Sequence, residues 1–264
     1  MTMDLWQQMS TLGEAARRSG HLLTIPCELE VIEDAGIPFV VRYAPDLIKK
    51  IRATNAPKRD NPFLPPEPEL LLGPIGDHHQ LVLNKFNVLP VHGLIVSNHF
   101  VEQTDQLSLA DFTAVSSILT QTDGLVFYNG GNIAGASQRH RHFQIVPQDM
   151  GAGLLPIQAK IDACLHHEHG TIFPFEHRLF WLPDYRPETL FDAWLKLEFV
   201  WRAHNLLITR QWMLIIPRSK ESIEGISVNS LGFAGALLAK DEIELATIRN
   251  QGPLQILTSV CSAD

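Results

Sequence analysis

The sequence lacks the features that mark secreted, membrane-spanning or disulfide-stapled proteins. Its three cysteines in 264 residues, Cys27, Cys164 and Cys261, lie far apart and include no Cys-x-x-Cys pair. This spacing predicts neither a disulfide framework nor a cysteine-based zinc site, and it indicates a reducing compartment. The first residues have no basic stretch followed by an apolar one, so no signal peptide is predicted. No apolar run approaches the roughly 20 residues that span a bilayer, and the expected location is cytoplasmic.

Positive charge is also scarce. Lysine and arginine together number 21, against 29 aspartates and glutamates, which gives a formal net charge of −8. This acidic balance argues against nonspecific binding to nucleic acid. It also means that a phosphate-rich ligand must be met by a local cluster of cations. The remaining composition, 45% hydrophobic and 19% charged residues, is that of an ordinary globular protein.

Hydrophobic periodicity divides the chain into strands and helices. Helical spacing is found over four segments: 4–19, 108–123, 157–165 and 188–204. Strand pairs are predicted at three places: 27–32 with 37–43, 80–86 with 92–97, and 205–209 with 212–217. Residues 125–128 are predicted to form a further strand that leads into the most informative stretch of the chain.

That stretch covers residues 128–147, where a strand ends, a loop of small residues at 130–138 (the glycine loop) follows, and a second strand is predicted from residue 139. Because successive side chains of a strand point to opposite faces, His140, His142 and Gln144 share one face. Glycine allows backbone N–H groups to approach an anion closely. A neutral imidazole can attack phosphorus and form a covalent intermediate. His-x-His by itself also fits surface polar residues or half of a metal site.

The longer string Gly-Ala-Ser-Gln-Arg-His-Arg-His-Phe-Gln, residues 135–144, resembles the active-site segment of diadenosine tetraphosphate phosphorylases, also called ATP adenylyltransferases. These enzymes belong to the transferase branch of the histidine-triad superfamily, in which the motif reads His-x-His-x-Gln. Three further blocks resemble the same family: Asn61-Pro62-Phe63, Asn84-Lys85-Phe86 and residues 227–240. The resemblance therefore covers most of the chain.

The resemblance implies an α+β fold with a histidine-triad-like antiparallel sheet and packed helices. The order strand, turn, strand, helix, strand, loop, strand in residues 80–147 is the one expected for such a unit. It also implies a catalytic region over residues 1–165 and a C-terminal ATP adenylyltransferase region over residues 166–264 that completes the same fold. A faint likeness between residues 83–96 and 205–216 suggests two related half-units, of which only the first contains His-x-His.

The family chemistry implies that His142 attacks the α-phosphorus of an adenylyl donor and that inorganic phosphate then accepts the adenylyl group. On this interpretation His140 orients the nucleophile, whereas Gln144, where histidine-triad hydrolases have a third histidine, favours transfer over hydrolysis. One ring nitrogen of His142 must be free and the other hydrogen-bonded, and a backbone carbonyl of the glycine loop is the expected acceptor. Arg141 replaces the usual lysine and, by alternation, points away from His142.

Substrate contacts carry over from the family by position. The residues expected to hold the α-phosphate are Asn129, Gly135, Ala136, Ser137 and Gln138. Asn84 and Lys85 are expected to contact the nucleotide or its phosphates, and Asn229, Ser230 and Leu231 the other nucleotide end. The positive charge is expected to come from Lys50, with Lys49 as its fallback, and from Lys240.

The expected partners are a dinucleoside polyphosphate, ATP or ADP, and phosphate, with no nucleic acid and no membrane. No covalently bound cofactor is expected. Mg²⁺ is expected only as a companion of the substrate, because no carboxylate cluster demands a protein-bound metal. The histidine runs at 77–79 and 166–169 do not have the usual ligand spacing, so no metal site is predicted. No pattern in the sequence defines an oligomeric state.

Two alternative functions are compatible with the motif. The first is a hexose-1-phosphate uridylyltransferase-like enzyme, a class that shares His-x-His-x-Gln. Several members of that class have cysteine zinc ligands, and they tend to have an acidic residue where this chain has Lys85. The second is a dinucleotide-binding regulator without turnover. A histidine-triad hydrolase is disfavoured because of Gln144.

Overall fold

The computed structural model describes residues 3–45, 59–151, 153, 155–165, 171–196 and 203–261. Its helices are α1 (Leu5–Arg18), α2 (Leu109–Gln121), α3 (Gln158–Leu165), α4 (Pro187–Leu195), α5 (Ser230–Phe233), α6 (Glu242–Gln251) and α7 (Pro253–Ser259). Its strands are β1 (Leu23–Thr24), β2 (Glu28–Asp34), β3 (Ile37–Tyr43), β4 (Leu71–Ile75), β5 (His79–Leu83), β6 (Phe86–Asn87), β7 (Gly93–Ser97), β8 (Leu125–Asn129), β9 (His142–Val146), β10 (Arg178–Trp181), β11 (His204–Ile208), β12 (Trp212–Pro217), β13 (Ser222–Ile223), β14 (Ile226–Ser227) and β15 (Ala236–Ala239). Short 3₁₀ turns lie at Pro68–Leu70 and Asn132–Ala134.

Eight of these strands form one antiparallel sheet in the order β10-β12-β11-β8-β9-β7-β5-β4. Strand β8 lies between β9 and β11, so strands before residue 147 and strands after residue 177 form one sheet. In that pairing Asn129 lies opposite Asn205. Helices cover the sheet, and the fold is α+β, as the sequence predicts.

The central strands of the sheet are buried on both faces, which explains their almost continuous apolar runs. Alternate residues of β8 enter different cores. Val126 and Tyr128 join the cluster that includes buried residues of α1, α2 and α4. Leu125 and Phe127 join the cluster that includes residues of α7 and the smaller sheet. Each such side chain stabilises the fold by about 1.5–3 kcal/mol through burial of apolar surface.

The smaller sheet has the order β15-β3-β2. Strands β2 and β3 form the predicted hairpin, with positive φ angles at Ala35 and Gly36 in the turn, as tight hairpins require. Strand β15 then pairs in parallel with β3, a contact that the sequence does not predict. Gly235 leads into β15 with a φ of 94°, and a Cβ there would lie 2.4 Å from Pro156 Cβ. This junction therefore requires glycine.

Several predicted boundaries are confirmed and others are corrected. Helix α2 begins with the predicted cap at Ser108, whose side chain accepts from the backbone of Asp111. The helix predicted over 188–204 is wrong at its end, because α4 stops at Leu195 and His204 begins the fully buried strand β11. Residues 197–202 lie outside the described residues. Within the described residues, no helix combines the length and the apolar character needed to cross a bilayer.

The strand predicted from Arg139 begins three residues later. Residues 139–141 pair instead with the segment before α2: Arg141 N donates to Val101 O, and Gln103 N donates to Arg139 O. The chain joins the main sheet only at His142, the first residue of β9. His140 therefore lies next to the start of β9 but is not part of the main sheet.

Candidate active site

The imidazole of His142 is held in a single orientation. Its Nδ1–H donates to the carbonyl of His140 at 2.8 Å, so Nε2 carries the lone pair. Among the described residues Nε2 has no hydrogen-bond partner, although the side chain is only 4% exposed. The acceptor is thus the carbonyl two residues earlier, which corrects the expectation of a carbonyl in the glycine loop. The geometry leaves one ring nitrogen of His142 available for chemistry.

The ring of His140 is fixed at both nitrogens. Nε2–H donates to Ser97 O at 2.8 Å, so Nδ1 accepts from Asn61 Nδ2 at 2.9 Å. The ring of Phe63 packs against both histidines, with centroid distances of 5.7 Å to His140 and 5.3 Å to His142. Both ring nitrogens of His140 are therefore occupied by hydrogen bonds within the protein. The contact of His140 with the ring of His142 is made by its backbone carbonyl.

The backbone of His142 is held by a glutamine from the segment before α2. His142 N donates to Gln103 Oε1 at 2.8 Å, and Gln103 Nε2 donates to His142 O at 3.1 Å. The same Nε2 donates to Asn129 O at 2.9 Å, so this amide bridges β8 and β9 where they diverge. The hydroxyl of Tyr128 donates to the carbonyl of Gln103. No motif in the sequence singles out Gln103, which lies 39 residues from His142.

The amide of Gln144 faces a third histidine. His92 Nε2 lies 2.8 Å from Gln144 Oε1, and His92 Nδ1 lies 3.1 Å from Asn84 Nδ2. His92 precedes β7 and is buried. The sequence does not assign it to the site, but the predicted pairing of 80–86 with 92–97 already places it near Asn84.

Burial keeps the histidines of this cluster uncharged. Loss of solvation lowers the pKa of His142 from 6.5 to about 4, an effect that its bond to the His140 carbonyl only partly offsets. Loss of solvation likewise lowers the pKa of His92 to about 4, against the opposing bond to Gln144. The pKa of His140 is also lowered by burial. At neutral pH the Nε2 of His142 therefore carries an unprotonated lone pair, which a nucleophilic imidazole requires.

These pKa values predict that acid destabilises the fold. The unfolded histidines bind protons near pH 6.5 while the folded ones do not, so the free energy of unfolding falls as the pH drops from 6.5 to about 4. A pKa difference of this size corresponds to about 3 kcal/mol for each buried ring. The free energy of unfolding is measured with denaturant at several pH values in this range. Its slope against pH should be shallower for His142→Gln than for the wild type. His99→Gln, at an exposed histidine, should match the wild type. Equal slopes for all three proteins would contradict the prediction.

Two backbone N–H groups at the end of the glycine loop have no acceptor among the described residues. Gly135, with a φ of 91°, donates to Asn132 O, and Ala136 N donates to Gly131 O. Among the described residues, the N–H groups of Ser137 and Gln138 have no acceptor, and the Ser137 side chain is exposed. Free N–H groups beside a hydroxyl form a cradle suited to an anion.

Asn129 connects this loop to the C-terminal part of the chain. Its Oδ1 accepts from Ser230 N at 2.9 Å, from Ser230 Oγ at 2.7 Å and from Asn205 Nδ2 at 2.9 Å. Three donors on the oxygen fix the amide, and its Nδ2 has no partner among the described residues. The Ser230 side chain is fully buried and holds Asn129 through these bonds, and its expected contact with a nucleotide stays a prediction. Asn229 accepts from Leu231 N at the start of α5 and abuts Gly135.

The lysines predicted to bind the substrate differ in their surroundings. Lys85 forms a half-buried ion pair with Glu67 at 2.7 Å, next to Asn84 in the chain. Lys240 binds Gly225 O at 3.0 Å and Glu244 at 3.2 Å, and no contact in the described part of the structure joins it to the histidines. Lys49 and Lys50 lie outside the described residues.

Metal ligands do not cluster within the described ranges. In this part of the chain, no group of three or more histidine, cysteine, aspartate or glutamate side chains could hold an ion. His79, one of the apparent metal ligands at 77–79, bonds instead to Asp111 at 3.0 Å. The run at 166–169 lies outside the described residues.

Comparison with known families and proteins assigns both parts of the chain. Residues 1–163 match the family described as Ap4A phosphorylase N-terminal domain. Residues 171–263 match the family described as ATP adenylyltransferase C-terminal domain. Protein APA1 of Saccharomyces cerevisiae is 27% identical, over 90% of this chain and 88% of the yeast protein. Diadenosine 5',5'''-P1,P4-tetraphosphate phosphorylase 2 of the same yeast is 28% identical, over 93% and 90%.

A solved structure shows the same fold. The crystal structure of yeast Ap4A phosphorylase Apa2 in complex with AMP superimposes with a TM-score of 0.81 at 25% identity. The match covers 99% of this chain and 97% of the yeast chain. The complex of Apa2 with Ap4A gives a TM-score of 0.79 at 24% identity.

Proposed function

Because the chain belongs to the Ap4A phosphorylase family, we propose that it phosphorolyses diadenosine tetraphosphate (Ap4A) to ATP and ADP through an adenylyl group on His142. The observation that carries the proposal is the neutral imidazole of His142, whose Nδ1 is bonded to the His140 carbonyl and whose Nε2 has no partner among the described residues. One related yeast protein is named a diadenosine tetraphosphate phosphorylase, and the yeast Ap4A phosphorylase Apa2 is solved with AMP and with Ap4A.

The reaction has two balanced steps. In the first, His142 Nε2 attacks the α-phosphorus, a P–N bond forms, and the P–O bond to the departing ATP breaks. In the second, an oxygen of inorganic phosphate attacks the same phosphorus, the P–N bond breaks, and ADP is released. The adenylylated ring carries a positive charge, and the carbonyl of His140, already 2.8 Å from Nδ1, stabilises it. The enzyme returns to its starting state.

Several hydrogen-bond donors can stabilise the negative charge on the oxygens of the α-phosphate. The free N–H groups of Ser137 and Gln138 and the Nδ2 of Asn129 can bind its oxygens, and so can the amide of Gln144. Gly135 and Ala136 shape the loop that presents these donors. We propose residues 1–165 as the catalytic region and residues 166–264 as the region that completes the fold. The bond from Ser230 to Asn129 supports this division, because it joins the two regions beside the glycine loop.

Several contacts to the substrate are proposed on family position alone. Lys85 is proposed to exchange Glu67 for a phosphate of the substrate, and Asn229 and Leu231 to contact the second nucleotide. Lys50 and Lys240 are proposed to add positive charge. Mg²⁺, where needed, would be held by the polyphosphate, because the described residues offer it no cluster of ligands. The proposed location is the cytoplasm, where free Cys27, Cys164 and Cys261 would stay reduced.

Product analysis tests the proposed reaction. Ap4A labelled in its adenosine groups is incubated with the protein in the presence and absence of inorganic phosphate. ATP and ADP that form only with phosphate are the expected products. AMP formed without phosphate would instead show hydrolysis, and saturable binding without product would show a regulator. Exchange of UMP between hexose 1-phosphates and UDP-hexoses would support the uridylyltransferase alternative.

A substitution in the glycine loop tests its proposed role in binding phosphate. Gly135→Ala places a Cβ 2.9 Å from Val228 O and from Asn229 Cβ, at a φ of 91°. We expect the loop to shift and the KM for Ap4A to rise about tenfold, equivalent to about 1.4 kcal/mol. Gly20→Ala is the matched control, because its φ is 81° and nothing lies within 4 Å of the new Cβ. An unchanged KM in Gly135→Ala would contradict the proposed cradle.

A further inference from the structure

His92 is a buried titratable residue that the reaction described above does not use. Its ring lies between two side-chain amides, Gln144 on one side and Asn84 on the other. An amide oxygen only accepts hydrogen bonds, so Gln144 Oε1 requires a proton on His92 Nε2. A neutral ring then has no proton on Nδ1, which must accept from Asn84 Nδ2.

A backbone group fixes the direction of this chain of hydrogen bonds. Phe86 N donates to Asn84 Oδ1 at 3.4 Å. Because a backbone N–H can only donate, the oxygen of Asn84 faces Phe86 and its NH₂ group faces His92. The same order results from each end: Asn84 donates to His92, and His92 donates to Gln144. Burial supports the arrangement, since it lowers the pKa of His92 to about 4 and keeps the ring neutral.

We infer that His92 is a positioning residue for adenylyl transfer, which holds the oxygen of Gln144 so that the NH₂ group of Gln144 faces the phosphorus. The inference rests on the proposed function. The two ends of a glutamine amide have nearly the same shape, so a hydrogen-bond partner decides which end faces the substrate. The reversed amide would direct its oxygen at the phosphate oxygens and repel them. Loss of one such donor typically costs about 10²–10³-fold in kcat.

The protonation pattern can be read without any assay of activity. Nitrogen-15 NMR of protein labelled at histidine distinguishes protonated from unprotonated ring nitrogens. At neutral pH we expect opposite tautomers, with the proton on Nε2 in His92 and on Nδ1 in His142. The signals of His92 are identified by their loss in His92→Gln. A proton on Nδ1 of His92 would overturn the inference, because its Nε2 would then accept from Gln144 and turn the oxygen toward the substrate.

Kinetics test whether the orientation matters. His92→Leu should lower kcat about 10²-fold while the KM for Ap4A changes less than about threefold, since the donor acts mainly in the transition state. His92→Gln can still donate from its side-chain amide and should stay within about tenfold of the wild type. His99→Leu, at an exposed histidine, should leave kcat unchanged.

A double-substitution cycle separates positioning from a general structural effect. In a Gln144→Ala background there is no amide to orient, so His92→Leu should lower kcat no further. An equal loss in both backgrounds would overturn the inference. If His92→Leu does not fold, the same cycle is run with His92→Asn, whose shorter amide does not reach Gln144. A wild-type protein that forms no ATP and ADP would refute the proposed function instead, and the NMR result would still test the hydrogen-bond chain.

Discussion

Replacing His142 with alanine is expected to lower the rate of Ap4A phosphorolysis by at least about 10⁴-fold. The substitution removes the nitrogen on which the adenylyl group is proposed to form, and no neighbouring group in the described part of the chain can replace it. His140 has both ring nitrogens bonded, and His92 is held between two amides. The backbone bonds to Gln103 do not depend on the side chain, so β9 should keep its place.

The covalent step can be measured directly. Wild-type protein mixed with Ap4A labelled at the α-phosphorus, without phosphate, and then quenched at alkaline pH should retain label that acid releases, as a phosphoramidate does. His142→Ala should retain none, although it should still bind AMP. His78→Ala is a matched control at an exposed histidine and should retain label like the wild type. Label retained by His142→Ala would contradict the assignment of the nucleophile.

Replacing Asp111 with alanine is expected to reduce the free energy of unfolding by about 3–5 kcal/mol. Asp111 accepts from Arg141 Nη1 at 2.9 Å and from His79 Nε2 at 3.0 Å, with all three side chains buried. Burial alone would raise the pKa of Asp111, but the bond from His79 and the charge of Arg141 hold it below its usual value. Without Asp111, the guanidinium of Arg141 remains buried without its counter-ion.

Equilibrium denaturation provides the measurement for Asp111→Ala. Asp192→Ala, at an exposed carboxylate on α4, is the matched control and should change the free energy of unfolding by less than about 0.5 kcal/mol. Because Arg141 lies next to His142 in the chain, Asp111→Ala should also lower kcat. A decrease of less than about 1 kcal/mol in the free energy of unfolding would show that Arg141 finds another acceptor. The ion pair with Asp111 would then not be the main interaction that holds residues 139–141 in place.

Local patterns predict much of the fold. The stripe of apolar residues in α1, the cap at Ser108 and the alternation through His142 and Gln144 each depend on neighbours within a few residues. Such signals fix the type of an element more firmly than its end. The helix predicted to reach 204 illustrates this limit, because the apolar stripe of α4 is followed after a few residues by an equally apolar strand.

The contacts that orient the site depend on residues far apart in the chain. His92 and Gln144 are 52 residues apart, and Gln103 and His142 are 39 apart. No spacing rule links such pairs, since they meet only when β7 pairs with β9 and the segment at 101–103 pairs with 139–141. The resemblance identified the motif residues, whereas the partners that hold them required the register of the sheet. The full burial of Ser230 depends on tertiary packing in the same way.

The position of β8 between β9 and β11 has a consequence for synthesis on the ribosome. Until residues 204–208 have emerged, one side of β8 has no hydrogen-bond partner, and Asn129 lacks both Asn205 and Ser230. An open, apolar strand edge is prone to pair with other chains. We therefore expect nascent chains that end before residue 204 to need protection by chaperones, and the proposed phosphate cradle to form only after Ser230 has emerged.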